Sequence, residues 1–239
     1  VSKRGFYPYD YLSGYVLLRP REKNWSFALG DYNVWSGNGL LLGRRIFSGR
    51  VAEARPTRNT LGAFRAHTST DEADFFRGAV GAWRWKGIDI MAFASYRKVD
   101  ARLSNASSDT VTTLLQSGLH RTLSEIEARR TMGNLTAGWH WGINQKHWGL
   151  ATDGVWTHFN KYVSPVKRWY NANYFRGQTA RSLSASYYIE FSKLYVQGDV
   201  STDRNWHIAT IHRLLYVPVR CLRLGLQLSL IHISEPTRP

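Results

Sequence analysis

The sequence predicts an all-β protein, an antiparallel transmembrane β-barrel, and three observations support this prediction. Apolar and polar residues alternate over many segments, which is the pattern of strands with one apolar and one polar face. Short turns alternate with long polar connections, as in barrels whose two ends face different compartments. Aromatic residues make up 14% of the 239 residues, a proportion typical of proteins with interfacial aromatic girdles.

Composition excludes several classes of protein and indicates the chemistry of the partners. A hydrophobic content of 43% excludes general disorder. No run approaches the roughly 18 apolar residues that a transmembrane helix needs. The single cysteine, Cys221, excludes an internal disulfide. A net charge of +15 and a pI near 10.2 favour polyanionic partners, which are outer-membrane lipid with its lipopolysaccharide, or nucleic acid.

We expect one domain over 1–227 and a foreign tail over 228–239. The chain begins at Val1, without Met or a signal peptide, so we expect a fragment whose targeting segment lies upstream. The tail, LSLIHISEPTRP, matches the translation of a transposon-type sequencing adapter. It is therefore left out of the fold prediction, and we expect the natural protein to continue beyond Gln227.

Alternating patterns define roughly ten strands, many of them near the ~9 to 11 residues that cross a bilayer at a tilt. Apolar side chains on alternate residues are expected to face lipid, and their polar neighbours to line an enclosed interior. Long polar loops are predicted at 100–117 and 160–177, and Pro218 is predicted to mark a turn. The predicted strands are 11–19, one beginning at 25, 75–85, 88–99, 132–144, 150–159, 182–191, 194–201, 208–216 and 222–227.

The segment 118–130 fits two structures. Leu123, Ile126 and Glu127 have helical spacing, and Thr122 followed by Glu125 matches a capping box. A strand with polar lining fits the same residues.

The stretch Trp25–Phe47 is the centre of the predicted site. It begins as a strand and breaks at glycines, which permit a tight re-entrant turn, and it then becomes very basic. The structural glycines are Gly30, Gly37, Gly39 and Gly43. The basic loop, 44–65, has only Glu53 to offset its candidate ligand-binding residues, which are Arg44, Arg45, Arg50, Arg55, Arg58 and Arg65.

A second set of polar residues is a candidate lumen cluster. Opposite charges inside a barrel can pair across the lumen, or they can form a constriction that selects a ligand, and the sequence permits both. The loop 160–177 mixes basic and aromatic residues, which suits either stacked bases or an interfacial girdle beside lipopolysaccharide phosphates. The members of the lumen cluster are Asp71, Glu72, Arg77, His120, Arg121 and Glu125.

Catalytic, metal and cofactor motifs were considered and none is predicted. His140 lies on the polar face of its strand, with no carboxylate or cysteine at metal-ligand spacing. Ser124, His120 and Glu125 lie too close in sequence, and without a nucleophile elbow, to indicate a triad. The glycine pair at 37 and 39 lacks the third glycine and the βαβ frame of a nucleotide site. We expect no enzyme, metal or cofactor.

Three stretches resemble a bacterial outer-membrane family, the helix-hairpin-helix domain-containing proteins. They are Leu29–Leu42 (LGDYNVWSGNGLLL), His67–Val80 (HTSTDEADFFRGAV) and Gly118–Glu127 (GLHRTLSEIE). The resemblance implies a barrel-like β region in the outer membrane, preceded by periplasmic repeats that suggest DNA handling. Those repeats do not occur in this sequence, so no residue here is assigned to DNA.

The expected function is binding or passage of a ligand by an outer-membrane protein. A soluble or surface β-sheet module for anionic polymers is the alternative, and it would pack the apolar strand faces against each other.

Overall fold

A computed structural model of the chain describes residues 12–43, 63–69, 75–104, 107–115, 122–166, 174–219 and 221–231. Within these ranges the chain forms a 13-stranded sheet and one short helix. The elements are β1 Tyr15–Leu18, β2 Trp25–Trp35, β3 Ala63–Ala66, β4 Phe76–Trp85, β5 Ile88–Val99, β6 Ala101–Ser104, β7 Ser107–Leu114, α1 Leu123–Glu127, β8 Met132–Asn144, β9 Trp148–Val163, β10 Gly177–Phe191, β11 Leu194–Asp203, β12 Ile208–Val219 and β13 Leu222–Ile231.

Ten strands follow one another as hydrogen-bonded neighbours, in the order β1-β2-β4-β5-β8-β9-β10-β11-β12-β13. Every pair along this path is antiparallel. β3 pairs with β2, β6 pairs with β7, and β7 makes a short parallel contact with β9. In the described residues the sheet is open, with β1 and β13 at its two ends. The predicted all-β, antiparallel class is confirmed.

Tight turns join neighbouring strands at one end of the sheet. β4 passes into β5 through Lys86 and Gly87, whose φ angles are 46° and 85°. Two successive residues with positive φ are the signature of a type I′ turn, which matches the twist of the paired strands. β10 passes into β11 through Ser192 and Lys193. The opposite end carries the longer connections, which lie between β2 and β4, β5 and β8, and β9 and β10.

The predicted loop 100–117 contains a hairpin, so the loop prediction is wrong for most of it. β6 and β7 pair with each other in an irregular register. Ala101 and Val111 are fully buried and pack with Met132 and Phe159 in a small apolar cluster. Many residues of this segment are Ser and Thr, which predict a loop. The few apolar side chains among them are the ones that become buried.

The segment at 118–130 forms a helix where it is described. Thr122 Oγ1 accepts from the Glu125 N–H at 3.3 Å, and the Thr122 N–H donates to Glu125 Oε2 at 3.1 Å, which completes the capping box. The helical alternative is therefore correct for α1 and the strand alternative is wrong there, while 118–121 lie outside the described residues. No helix among the described residues is long and apolar enough to cross a membrane.

Several strand boundaries differ from the prediction. β9 continues to Val163, into the predicted loop 160–177, of which 167–173 lie outside the described residues. Pro218 lies inside β12, at a register shift between Tyr216 and Val219, where a residue without an N–H is tolerated. β3, in the basic loop, was not predicted. β13 runs past residue 228, the boundary expected for the foreign tail.

The sheet has an inner face, which carries the buried side chains, and an outer face, which carries exposed ones. On β5 the inner residues Asp89, Met91 and Phe93 are buried, and the outer residues Ile90 and Ala92 are exposed. An apolar cluster fills the inner face of β2 to β5. Its members are Ala28, Tyr32, Val34, Leu42, Phe64, Phe76, Val80, Met91 and Phe93.

Candidate functional site

Polar side chains occupy the inner face of β8 to β11. The strand register places them in two rows, so that each row crosses neighbouring strands at about 4.5–5.5 Å per step. All but Ser184 are at most 3% exposed. We call this group the polar wall: His140, Asp153, Ser184 and Ser201 in one row, Ser186 and Asp199 in the next.

The segment 36–43 follows β2 and closes on itself; we call it the glycine turn. The Ser36 N–H donates to the Leu42 carbonyl at 2.8 Å, and the Gly39 N–H donates to the Ser36 carbonyl at 3.1 Å. Gly37 and Gly39 have φ angles of 56° and 84°. Residues with a Cβ rarely adopt this left-handed backbone region, so the glycines allow the chain to reverse here.

Ser36 joins the glycine turn to the first row of the polar wall. Its Oγ donates to Asp153 Oδ2 at 2.9 Å and lies 3.0 Å from His140 Nδ1. His140 Nδ1 also lies 2.6 Å from Asp153 Oδ1, and Ser184 Oγ donates to Asp153 Oδ2 at 3.1 Å. The carboxylate of Asp153 is thus surrounded by polar partners from three different segments, and one of them is the turn.

Asn38 joins the turn to the second row. Its backbone N–H donates to Asp199 Oδ2 at 2.6 Å, and its Nδ2 donates to Asp199 Oδ1 at 2.9 Å. A Cβ on Gly37 would lie 2.9 Å from both oxygens of Asp199 and 3.0 Å from Ser186 Cβ. The turn therefore touches the wall through the Asn38 backbone as well as through side chains, and only glycine fits at position 37.

The other side of the turn is apolar. Leu42 is 5% exposed and belongs to the apolar cluster of β2 to β5, against which Leu41 also packs. The glycine turn thus crosses the interior from the apolar cluster to the polar wall. Asn38 follows β2, and Asp199 lies on β11, six strands further along the strand order. Because these two residues are in contact, the inner face of the sheet is concave.

The two remaining predicted glycines also have specific environments. Gly30 has a φ of 101°, and a Cβ there would lie 2.2 Å from the Gly14 carbonyl oxygen. A Cβ on Gly43 would lie 2.4 Å from the Gly39 carbonyl oxygen, across the turn. Any side chain at these positions requires the backbone to shift.

A serine, a histidine and an aspartate in contact suggest a catalytic triad, but the geometry differs. In a triad the serine hydroxyl meets one imidazole nitrogen and the carboxylate meets the other. Here Ser36 Oγ and Asp153 Oδ1 both approach Nδ1 of His140. The serine proton is held by the carboxylate, which leaves no imidazole base to remove it. The contact fits an anchor for the turn.

Most of the predicted basic loop falls outside the described residues, which include none of Arg44, Arg45, Arg50, Arg55 and Arg58. Arg65 is described. It lies on β3 opposite Asn33 and is half-buried, and its Nε has no hydrogen-bond partner in the described part of the chain.

The predicted lumen cluster is only partly described, because Asp71, Glu72, His120 and Arg121 lie outside the described ranges. Arg77 binds Asp31, with Nε 2.6 Å from Oδ1 and Nη2 2.9 Å from Oδ2.

Asp31 is 1% exposed and also accepts from the Gly14 N–H at 3.2 Å. Glu125 is half-buried and caps α1. Arg77 and Glu125 thus have separate structural partners: Arg77 joins β4 to β2, and Glu125 holds the start of the helix.

The polar wall was not among the predicted site residues. The alternating pattern indicates part of it, because Ser184, Ser186 and Asp199 fall on the polar faces of predicted strands, as does His140. Their convergence with Ser36 and Asn38 was hidden, since it depends on contacts between residues more than a hundred positions apart.

Among the described residues, no group of three or more His, Cys, Asp and Glu side chains has an arrangement that could hold a metal ion. The polar wall offers carboxylate and hydroxyl oxygens instead, which suit hydrogen-bond donors. Comparisons with protein-family models, curated proteins and solved structures found no match for the chain.

Proposed function

We propose that the chain is the β region of a bacterial outer-membrane protein. In this proposal the sheet belongs to a transmembrane β-barrel that encloses the inner face and turns the outer face to lipid. The barrel binds or passes a polar ligand, and the glycine turn narrows its interior.

The observation that carries the proposal is the distribution of burial over β8 to β11, which is opposite to that of a water-soluble sheet. Asp153 and Asp199 are each 2% exposed. Leu150, Leu183 and Ile189 on the outer face are 53%, 53% and 52% exposed. Exposed apolar surface is unfavourable in water by roughly 25 cal/mol per Å², and large contiguous patches mark contact with a membrane or a partner. Lipid removes this cost across the whole outer face.

Aromatic side chains on the outer face support the same proposal. They lie near the tight-turn end of the sheet, which is where a girdle at one membrane interface would lie. Trp83 and Trp85 stack with ring centroids 6.0 Å apart, next to the turn at Lys86. The exposed tryptophans of this end are Trp25, Trp83, Trp85, Trp141 and Trp148.

The length of the outer apolar band also fits a bilayer. On β8 the band runs from Leu135 to Ile143, and on β10 from Leu183 to Phe191, beyond which Arg181 is exposed. Eight steps of about 3.4 Å give about 27 Å along each strand, or about 21 Å across a membrane at a tilt of ~40°. The apolar band of outer-membrane barrels is about 25 Å tall.

The basic composition supports lipopolysaccharide as a neighbour, and the resemblance to helix-hairpin-helix proteins supports a link to DNA handling by segments outside this sequence. The net charge of +15 favours a second candidate, a soluble or surface β-sheet module that binds nucleic acid or acidic glycan. The second candidate must cover the outer face with protein.

Membrane fractionation of the natural full-length protein separates the two candidates. We expect recovery in the outer membrane, resistance to carbonate extraction and heat-modifiable mobility in gels. The outer tryptophans should be quenched by brominated lipid in reconstituted vesicles. A monomer that stays soluble without detergent, with tryptophan fluorescence unaffected by brominated lipid, would refute the membrane proposal and favour the polyanion-binding module.

A further inference from the structure

We propose that the polar wall is a binding site for an organic cation, an ammonium or guanidinium compound, and that the glycine turn occupies this site as an internal substitute. The inference deepens the proposed function, since it names the class of ligand, and it rests on the enclosed inner face described above.

The first argument is the chemistry of the contacts between turn and wall. Asp153 and Asp199 are carboxylates and only accept hydrogen bonds when ionised. The turn offers them donors, through the Ser36 hydroxyl, the Asn38 N–H and the Asn38 Nδ2. All of these donors are neutral. A cation would make hydrogen bonds with the same oxygens and would also bring the positive charge that these neutral donors lack.

The second argument is an unused polar group on the wall. Ser186 is 3% exposed and lies directly opposite Asp199 in the register. In the described part of the chain its Oγ has no hydrogen-bond partner, and a Cβ built on Gly37 would lie 3.0 Å from its Cβ. Burying a hydroxyl without a partner is unfavourable. Gly37 makes no hydrogen bond with the Ser186 hydroxyl, whereas a ligand amine beside Asp199 can donate one to it.

The charges around the wall define where the cation binds. His140 contacts Asp153. Arg213, on the neighbouring strand β12, interacts electrostatically with Asp199, and the Nε of Arg213 donates to Gln227 Oε1 on β13 at 3.0 Å. The cation subsite is therefore the space between Asp153 and Asp199 that the turn fills, on the side of Ser186.

Displacing the turn should therefore expose the site. In Gly37→Val the branched side chain meets the Asp199 oxygens and Ser186, and valine is strained at a φ of 56°. Asn38→Ala removes the side-chain donor and keeps the backbone, so it tests the same point if Gly37→Val fails to fold. Gly14→Ala is the matched control, because a Cβ there has no atom within 4 Å.

Calorimetric titration with putrescine, a dication, and with succinate, a dianion of equal carbon number, tests the proposal. The chain is folded in detergent or in buffer, so the result does not depend on membrane insertion. We expect Gly37→Val, or Asn38→Ala, to bind putrescine about tenfold or more tighter than the wild type and Gly14→Ala, as the loss of competing charge-assisted bonds implies.

Adding Asp199→Asn or Asp153→Asn to the displaced variant should weaken putrescine binding by a similar factor, and succinate should not bind. Equal putrescine affinity in the wild type and both turn variants would overturn the proposal. Affinity that is unchanged by both Asp→Asn substitutions, or succinate binding as tight as that of putrescine, would also overturn it. These outcomes leave the fractionation result untouched, so the two proposals fail separately.

Discussion

Replacing Ala92 with arginine tests whether the outer face lies in lipid. Ala92 is an exposed outer residue near the middle of β5, with Gly81 and Trp139 as its cross-strand partners. The outer residues of β5 run from Ile88 to Tyr96 without a charge, so position 92 lies at the centre of the proposed band. The substitution removes almost no packing, because the methyl group of alanine is small. Its effect therefore reports the environment of the new charge.

The two environments predict different magnitudes. In water an exposed surface substitution changes stability by less than about 0.5 kcal/mol. At the midplane of a bilayer an outward arginine on a barrel costs about 2–4 kcal/mol. Each 1.4 kcal/mol is tenfold, so the folding equilibrium should fall by roughly 30- to 700-fold.

Equilibrium unfolding in lipid vesicles, followed by tryptophan fluorescence and by heat-modifiable mobility, measures this loss. Ala92→Leu keeps the site apolar and should fold like the wild type. Leu123→Arg, on exposed α1 outside the strands, should also be neutral. Folding of Ala92→Arg within about 0.5 kcal/mol of the wild type would refute the assignment of this face to lipid.

Two further predictions concern other parts of the molecule. Arg77→Met leaves the buried carboxylate of Asp31 without its bidentate partner, so we expect a loss of about 1–3 kcal/mol in unfolding free energy, smaller when Asp31→Asn is added. Glutamine at Arg44, Arg45 and Arg50 should weaken polyanion binding, and the slope of log K against log salt should become shallower by about 0.7–0.9 per lost contact with an anionic group of the polymer. Chemical denaturation and salt-dependent binding to heparin measure these effects.

Each of these two predictions has a result that contradicts it. Equal stabilities of Arg77→Met and the wild type would mean that water satisfies Asp31. An unchanged heparin affinity and salt slope would remove the basic loop from polyanion binding. Glutamine at Arg129, in the turn after α1, is the control for a general loss of charge and should leave both quantities nearly unchanged.

Alternation of residue type was enough to predict the all-β class and most strands. The predicted bounds of β5 and β8 match the structure, because every second residue is apolar from Ile88 to Tyr96 and from Leu135 to Ile143. The hairpin of β6 and β7 was not predicted, because its burial depends on two residues, Ala101 and Val111. Both stand among Ser and Thr residues, which hide the alternating pattern. Local pattern therefore fails where a few small apolar side chains bury a strand.

The candidate site was predictable only in part. The glycines of the turn indicated where the chain reverses, because glycine is the residue that tolerates positive φ. The partners of the turn were not predictable, since Asp153 and Asp199 lie on strands far from Ser36 and Asn38 in sequence. Only the curvature of the whole sheet brings them together.

The interior of the sheet buries carboxylates beside its apolar clusters, and the stability of these carboxylates depends on internal pairing. A buried charge is costly unless it is hydrogen-bonded, and the five buried aspartates of the described residues each have partners. These partners are Arg77 for Asp31, Arg84 and Asn144 for Asp89, Ser36 and His140 for Asp153, Asn38 for Asp199, and His207 for Asp203.

Two of these five aspartates depend on the glycine turn, and the other three are paired between or beside strands. The glycine turn supplies donors to Asp153 and Asp199 from outside the strands of the sheet. The turn is therefore the part of the interior that another donor can replace with the least disturbance of the sheet. The two proposals therefore concern the two faces of one sheet: we propose lipid on the outer face, and on the inner face a set of donors that a ligand can replace.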